Sequence, residues 1–362
     1  MTPETDPLEP RAARRPSVWL RVLLSLLFGS AFVWMLQRGG LPIVPPQASL
    51  VAFGLPAFAG YSAWFAVLWV LRANRWSHLL RPLVALPRRD SLSIGLVGAG
   101  AVILAPARLG ELVRPYLVAG RGVTFTQAAA IVAAERIVDG MMVASFLTVG
   151  LLTSTTVSPL PDHLGELPIP VASIPRIAWL SLLVFATAFA AMAAFFSARD
   201  RAKRLVEIVV GRFSPGAATF VADTVSRLAD GLSFLRSPRD ALPFLRDTVV
   251  YWAMNVAGLC FVLRAAHLDA TPSHAMVVLG VLSLGIMVPA GPGFFGAFQL
   301  AGYCALALFF PLPKVVGEGG VGLFVLYVSQ MAVGSVFAVV GLATLPSAAR
   351  IPGPPPSAER PS

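Results

Sequence analysis

The chain has 362 residues, 56% hydrophobic and only 13% charged, with a formal net charge of +10 and a mean hydropathy of +0.76. Soluble domains carry about a quarter charged residues, so this composition excludes an ordinary soluble protein and requires a membrane. The basic excess lies in clusters between apolar runs rather than along one face, which argues against a nucleic-acid partner and for membrane topology.

The first ten residues are polar, and residues 1–16 read as a disordered cytoplasmic N-terminus. Trp19 to Met35 is apolar, but no small-residue cleavage pattern follows and further spans come after it, so it is predicted to be an uncleaved first helix. Arg11, Arg14, Arg15 and Arg21 precede or open this span. Arg72, Arg75, Arg81, Arg88 and Arg89 follow the second, while the loop between holds only Arg38. Cytoplasmic loops accumulate Arg and Lys, so both clusters are predicted to be cytoplasmic. Arg108, Arg114 and Arg121 mark the same side. Ser91 to Ala105, between two cytoplasmic segments and about 15 residues long, falls short of the roughly 20 needed to span, so it should enter and return.

Thr153 to Pro175 contains no Lys or Arg and is predicted to be outside; Arg199, Arg201, Lys203 and Arg204 follow the next span. Residues 198–246 form the one sizeable polar insertion. Within it Val221, Val225, Leu228, Leu232 and Leu235 recur at helical spacing, as in an amphipathic helix lying on the cytoplasmic leaflet. Tyr251 to Leu263 then leads outward and Val321 to Leu345 leads back. The apolar region between them is broken at Pro289-Ala290-Gly291-Pro292-Gly293, where two prolines lack donors and glycines loosen the chain. The expected architecture is an all-α integral membrane protein over residues 17–345. It has about six transmembrane helices plus two re-entrant broken-helix hairpins of opposite orientation. A disordered Pro-rich tail, residues 346–362, follows, and both termini are cytoplasmic. Inverted-repeat transporters build a midplane substrate site from such opposed breaks.

Three constellations could carry chemistry. In Pro106-Ala107-Arg108-Leu109-Gly110-Glu111-Leu112-Val113-Arg114, Pro106 can open a helix, placing Arg108, Glu111 and Arg114 at i, i+3 and i+6. Glu135-Arg136-Ile137-Val138-Asp139 lies within the span that begins near Thr124 and runs to Leu152. At about 1.5 Å per residue Glu135 stands roughly 16 Å into it, on one face with Asp139. Three arginines, Arg108, Arg114 and Arg136, balance three carboxylates, Glu111, Glu135 and Asp139. Intramembrane charges each cost at least a few kcal/mol, so these should pair or line a water-filled cavity. Such a network could bind a headgroup or could lock the first hairpin to the following span. The third constellation runs from Pro289 through Gly291, Pro292, Gly293 and Gly296 to Gln299. A half-helix starting after Gly293 would point its positive end into the membrane, towards a phosphate or carboxylate.

Other chemistry finds little support. There is no His-Glu-x-x-His, no Gly-Lys-Ser/Thr phosphate loop and no Gly-x-Ser-x-Gly elbow, and His78, His163, His267 and His274 are scattered. Cys260 and Cys304 lack metal-ligand spacing, and His163 beside Asp162 reads as solvated loop.

The Pro-x-Arg-x-Gly-Glu-x-x-Arg run at Pro106 to Arg114, the Glu135-Arg136-x-x-Asp139 helix and the late Pro-Gly-x-x-Gly break resemble the lysylphosphatidylglycerol synthase transmembrane family. That family corresponds to the flippase-type membrane domain of the bacterial multiple peptide resistance factor. The likeness covers most of residues 15 to 345. It implies a multi-pass protein of the bacterial cytoplasmic membrane that moves a lipid with an aminoacylated or glycosylated headgroup, or a polyprenyl-linked lipid, between leaflets. No cofactor is implied; the partners are the membrane and a phospholipid or glycolipid substrate, and a homo-oligomer is compatible with it. The sequence departs from the family at position 299, where Gln replaces the usual Glu, which puts any carboxylate role there in doubt. The aminoacyltransferase domain of bifunctional members is not expected after Leu345, so no lipid synthesis is expected. A glycosyl- or phosphotransferase acting on a lipid carrier stays open, although no Asp-x-Asp pair is present, as does a small-molecule secondary transporter.

Overall fold

The computed structural model describes residues 18–105, 110–164, 166–169, 171–198, 204, 208, 212, 215–288 and 290–345. Residues 1–17, Pro106, Arg108, Pro289, most of 199–214 and the tail from 346 lie outside them. The described chain is all-helical apart from a small β-hairpin. Its helices are α1 (Val18–Arg38), α2 (Gln47–Phe53), α3 (Leu55–Leu80), α4 (Arg88–Leu104), α5 (Val113–Val118) and α6 (Phe125–Leu152). After strands β1 (His163–Leu164) and β2 (Leu167–Pro168) come α7 (Ile174–Ser197), α8 (Pro215–Gly231), α9 (Pro238–Ala265), α10 (Pro272–Gly285), α11 (Ala297–Leu306) and α12 (Leu312–Thr344).

Four segments, Leu55–Leu80, Val171–Ser197, Pro238–Ala265 and Leu312–Thr344, are long and apolar enough to cross a membrane. Helix α6 has 28 residues, about 42 Å of helix, but carries Glu135, Arg136 and Asp139 in its middle. Local signals fix several ends. Thr124 caps α6 in a reciprocal box with Gln127. Thr271 and His274 do the same for α10, with Pro272 in its first turn.

The last part of the polar insertion is helical. Ser237 Oγ accepts the Arg239 amide at 3.2 Å, Pro238 fills the first position and Asp240 lies in the first turn, so α9 starts at Pro238 and absorbs the segment up to Arg246. In α8 and just beyond it, among the described side chains, Ala222, Ala229, Gly231 and Leu232 are buried, and Val221, Val225, Leu228 and Leu235 are half-buried. Gly231 sits against Gln127 and Ala130 of α6, so the small residues of α8 seat on α6.

Helices in lipid gain little from hydrophobicity and associate through small residues that allow close approach. That rule organises the packing. Gly95 of α4 meets Ala73 of α3, Gly341 of α12 meets Val97 of α4, and Gly100 of α4 meets Ala338 of α12. Ser93 and Thr344 close the far end of the α4–α12 seam at 2.8 Å between hydroxyls. Likewise Gly280 of α10 meets Leu147 of α6, and Gly150 of α6 meets Ser273 of α10. The segments α3–α6 and α9–α12 thus share one succession: long helix, short helix, break, short helix, long helix. The first short helix of each lies along the last long helix of the other, and α3 packs antiparallel to α9, with Trp64 Nε1 donating to Met254 O at 3.0 Å.

Candidate functional site: a buried ion network beside an amphipathic cavity

The charged residues of α6 pair with one another and with side chains of three other helices. Glu135 has no accessible surface; Arg114 Nη1 of α5 lies 2.7 Å from its Oε2, and Arg136 Nη2 lies 3.1 Å from its Oε1. Arg136 Nη2 is also 3.1 Å from Asp139 Oδ2. The other oxygen of Asp139 accepts from Arg75 Nη2 of α3 and, at 3.0 Å, from Trp252 Nε1 of α9. Aromatic faces support the guanidinium groups: Arg75 lies over Phe244 and Tyr251 at 5.3 and 5.0 Å, and Arg114 over Trp76 at 4.7 Å. Gly98 of α4 lets Arg114 reach Glu135, because a Cβ there would run into the Arg114 side chain.

A cavity of about 570 Å³ adjoins this network. Arg72, Glu111, Arg136, Asp139 and Tyr251 line one end. Along α3 the lining changes from Arg72 to Trp69, Leu68 and Phe65, and along α6 from Arg136 and Asp139 to Gly140 and Val143. The apolar part continues through Leu279, Leu282, Met287 and Phe298.

The tips of two helical hairpins meet here. In the first, α4 folds back onto the segment leading into α5: Gly110 lies against Ala101 and Val102, and Gly98 against Arg114. In the second, α10 faces α11 where Gly285 meets Ala301. Val102, Ile103, Glu111 and Leu112 come to the cavity from the first tip, and Ile286, Met287, Gly293 and Phe294 from the second.

The residues singled out in the sequence fall into distinct places. Glu135, Arg136 and Asp139 meet in one cluster with Arg114, whereas Pro106, Arg108 and Pro289 lie outside the described residues. Glu111 and Arg114 do not continue one helix. Pro115 lacks a donor and is tolerated only in a first turn, so α5 begins at Val113 after a tighter turn. Glu111 consequently faces the cavity, while Arg114 turns away from it to Glu135.

The late break is also rearranged. Gly293 and Gly296 take left-handed conformations, φ 67° and 85°, and α11 starts at Ala297 rather than directly after Gly293. The Gly296 amide donates to Gln299 Oε1 at 2.7 Å, so the first turn of α11 is capped internally. A Cβ on Gly296 would strike Phe32 of α1, and Gly291 lies against Gly29 of the same helix. At the half-helix end expected to receive an anion, Gln299 thus takes the Gly296 amide and α1 packs on the glycines, and Gly293 is the glycine of this motif that lines the cavity. Gln299 itself is buried and serves as an acceptor, a task that needs no carboxylate.

Three groups escaped the sequence reading. In sequence Arg72 and Arg75 read only as topology markers, and Trp252 as part of a span. The available signal was spacing, since Arg72 and Arg75 stand at i and i+3 on the face that continues the aromatic stripe of Phe65 and Trp69. A second cluster lies one turn further along α3: Asp247 Oδ2 receives Asn74 Nδ2 at 3.0 Å and faces His78 Nε2 at 3.1 Å, while Arg246 reaches Asp247 Oδ1 at 2.7 Å. At the β-hairpin His163 pairs with Asp162 at 3.0 Å, and this hydrogen bond holds the exposed Asp162 carboxyl below the usual carboxylate range.

Fold and site together define a multi-pass, all-helical membrane protein with an ion network buried beside an amphipathic cavity. The chain belongs to the family described as lysylphosphatidylglycerol synthase TM region, whose model matches residues 18–334. No curated protein and no solved structure gives a significant match.

Proposed function

We propose that this protein moves a lipid with an aminoacylated or glycosylated headgroup, or a polyprenyl-linked lipid, between the leaflets of a bacterial cytoplasmic membrane, without hydrolysing nucleotide and without altering the lipid. The observation that carries this reading is the cavity, charged at one end and lined by aliphatic and aromatic side chains along the rest. A lipid needs polar groups around its headgroup and apolar walls along its chains, and the lining has that division. The family's description, which names a lipid synthase's membrane region, supports a lipid ligand.

In this reading α1, α3, α6, α7, α9 and α12 cross the bilayer, with both chain ends cytoplasmic. Helix α4, at 17 residues, and α10, at 14, give about 26 and 21 Å of helix against a core of about 30 Å. They enter from opposite faces and return through α5 and α11, and the exchange of partners between α3–α6 and α9–α12 is the packing expected of an inverted repeat. The two tips then form the midplane constriction that a headgroup passes.

The test is a leaflet-specific translocation assay in proteoliposomes made with lipid from the native membrane, with headgroup mass measured before and after. Wild-type protein should carry lipid across with its mass unchanged. Ser283→Trp, placed in the cavity wall, should reduce the rate to that of empty vesicles while melting like wild type. Unimpeded transport by a well-folded Ser283→Trp protein, or conversion of the headgroup, would refute the reading.

A further inference from the structure

The polar end of the cavity is lined by two guanidinium groups and two carboxylates, which by composition could take a cationic or an anionic headgroup. Their contacts separate the two. Both oxygens of Asp139 are occupied, one by Arg75 and Trp252 and the other by Arg136. Glu111 has an interaction partner of its own. Asp139 is therefore engaged through both oxygens before any ligand arrives, and Glu111 is not without a partner. The guanidinium groups keep open positions. Among the described residues Arg72 forms no ion pair, although it lines the cavity beside Glu111 and Arg136. Arg136 offers only Nη2 to its carboxylates, and 28% of its side chain remains accessible.

The charge count agrees. Among the described residues the cluster holds four arginines, Arg72, Arg75, Arg114 and Arg136, against three carboxylates, Glu111, Glu135 and Asp139. A surplus positive charge in a low-dielectric setting calls for an anion, and a forked guanidinium matches two oxygens of a phosphate.

We infer that the polar end of the cavity is an anion site in which Arg72 and the open edge of Arg136 hold the phosphate of a lipid headgroup with net negative charge, and that a cationic headgroup is not its ligand. The inference deepens the transport reading and rests on it for the lipid nature of the ligand. Within the lipids of that reading it favours phosphate-linked carriers and glycosylated acidic phospholipids over cationic aminoacylated ones, and it assigns Arg72 as the residue that selects them.

Native mass spectrometry of the detergent-purified full chain separates this claim from transport itself. The probes are phosphatidylglycerol, phosphatidylcholine, a cationic aminoacylated phosphatidylglycerol and inorganic phosphate. Phosphatidylglycerol should be retained roughly tenfold more tightly than the other two lipids, the effect of one charge-assisted contact pair. Arg72→Gln should abolish the preference, Arg72→Lys should restore part of it, and both should melt like wild type. Equal retention of all three lipids, preference for the cationic one, or an unchanged preference in Arg72→Gln would overturn the anion site. Displacement of phosphatidylglycerol by equimolar inorganic phosphate would overturn its lipid occupant. Loss of translocation in vesicles with selective binding intact would count against the transport reading and leave the anion site standing.

Discussion

Replacing Glu135 by Gln removes one charge from a site with no accessible surface and leaves Arg114, 2.7 Å away, without its counter-ion. Arg136 keeps Asp139 at 3.1 Å, so the damage falls mainly on Arg114, whose guanidinium is held between Glu135 and the face of Trp76. Breaking a buried pair on one side costs about 3–5 kcal/mol because the remaining charge cannot be resolvated. Against a total of about 5–15 kcal/mol that is a large fraction, and in a chain of this size it should lower the melting temperature on the order of 10 °C. Scanning fluorimetry of the purified protein in detergent measures it. Arg114→Met combined with Glu135→Leu should recover most of the loss, since apolar replacement of a whole buried pair is close to neutral. A Glu135→Gln protein melting within about 2 °C of wild type, or a double variant worse than either single one, would refute the assignment of Glu135 as counter-ion to Arg114.

Three further changes test the surroundings by the same melting measurement. Gly98→Ala should lose about 1–3 kcal/mol, because its methyl group occupies the path of the Arg114 stem. Gln299→Leu should lose about 1 kcal/mol with the cap on Gly296, whereas Gln299→Glu, which keeps the acceptor, should lose less if the carboxyl is protonated, and so fall further at high pH than at low pH. Trp252→Phe should lose about 1–2 kcal/mol by removing the 3.0 Å donor to Asp139.

The part of the site legible in the sequence is the part that breaks a rule. Glu135, Arg136 and Asp139 stand out because charge is expensive inside an apolar run of 28 residues. Arg72 and Arg75 do not, because they sit in the last turns of α3, in a basic cluster for which topology alone accounts in sequence. Only the fold distinguishes them from Arg81 and Arg88, by bringing Asp139 to Arg75 and the cavity to Arg72. The Thr124 start of α6 and the Pro-Gly interruption were legible because caps and missing donors act locally. The true start of α11 was not, since it depends on the Gln299 side chain reaching back to Gly296 and on Phe32 from a distant helix. Similarly, Glu111 and Arg114 share a helical spacing on paper. Pro115 sets where α5 begins and sends the two side chains to different sides of the hairpin.

The most direct test of the central claim, that the cavity carries lipid between leaflets, is translocation of a headgroup-labelled anionic phospholipid in proteoliposomes, followed from the rate at which an impermeant quencher reaches the label. The account predicts rapid transfer by wild-type protein and a rate indistinguishable from empty vesicles for Ser283→Trp, both proteins melting alike. Equal transfer by wild-type protein and empty vesicles, with the protein folded and correctly inserted, would contradict it.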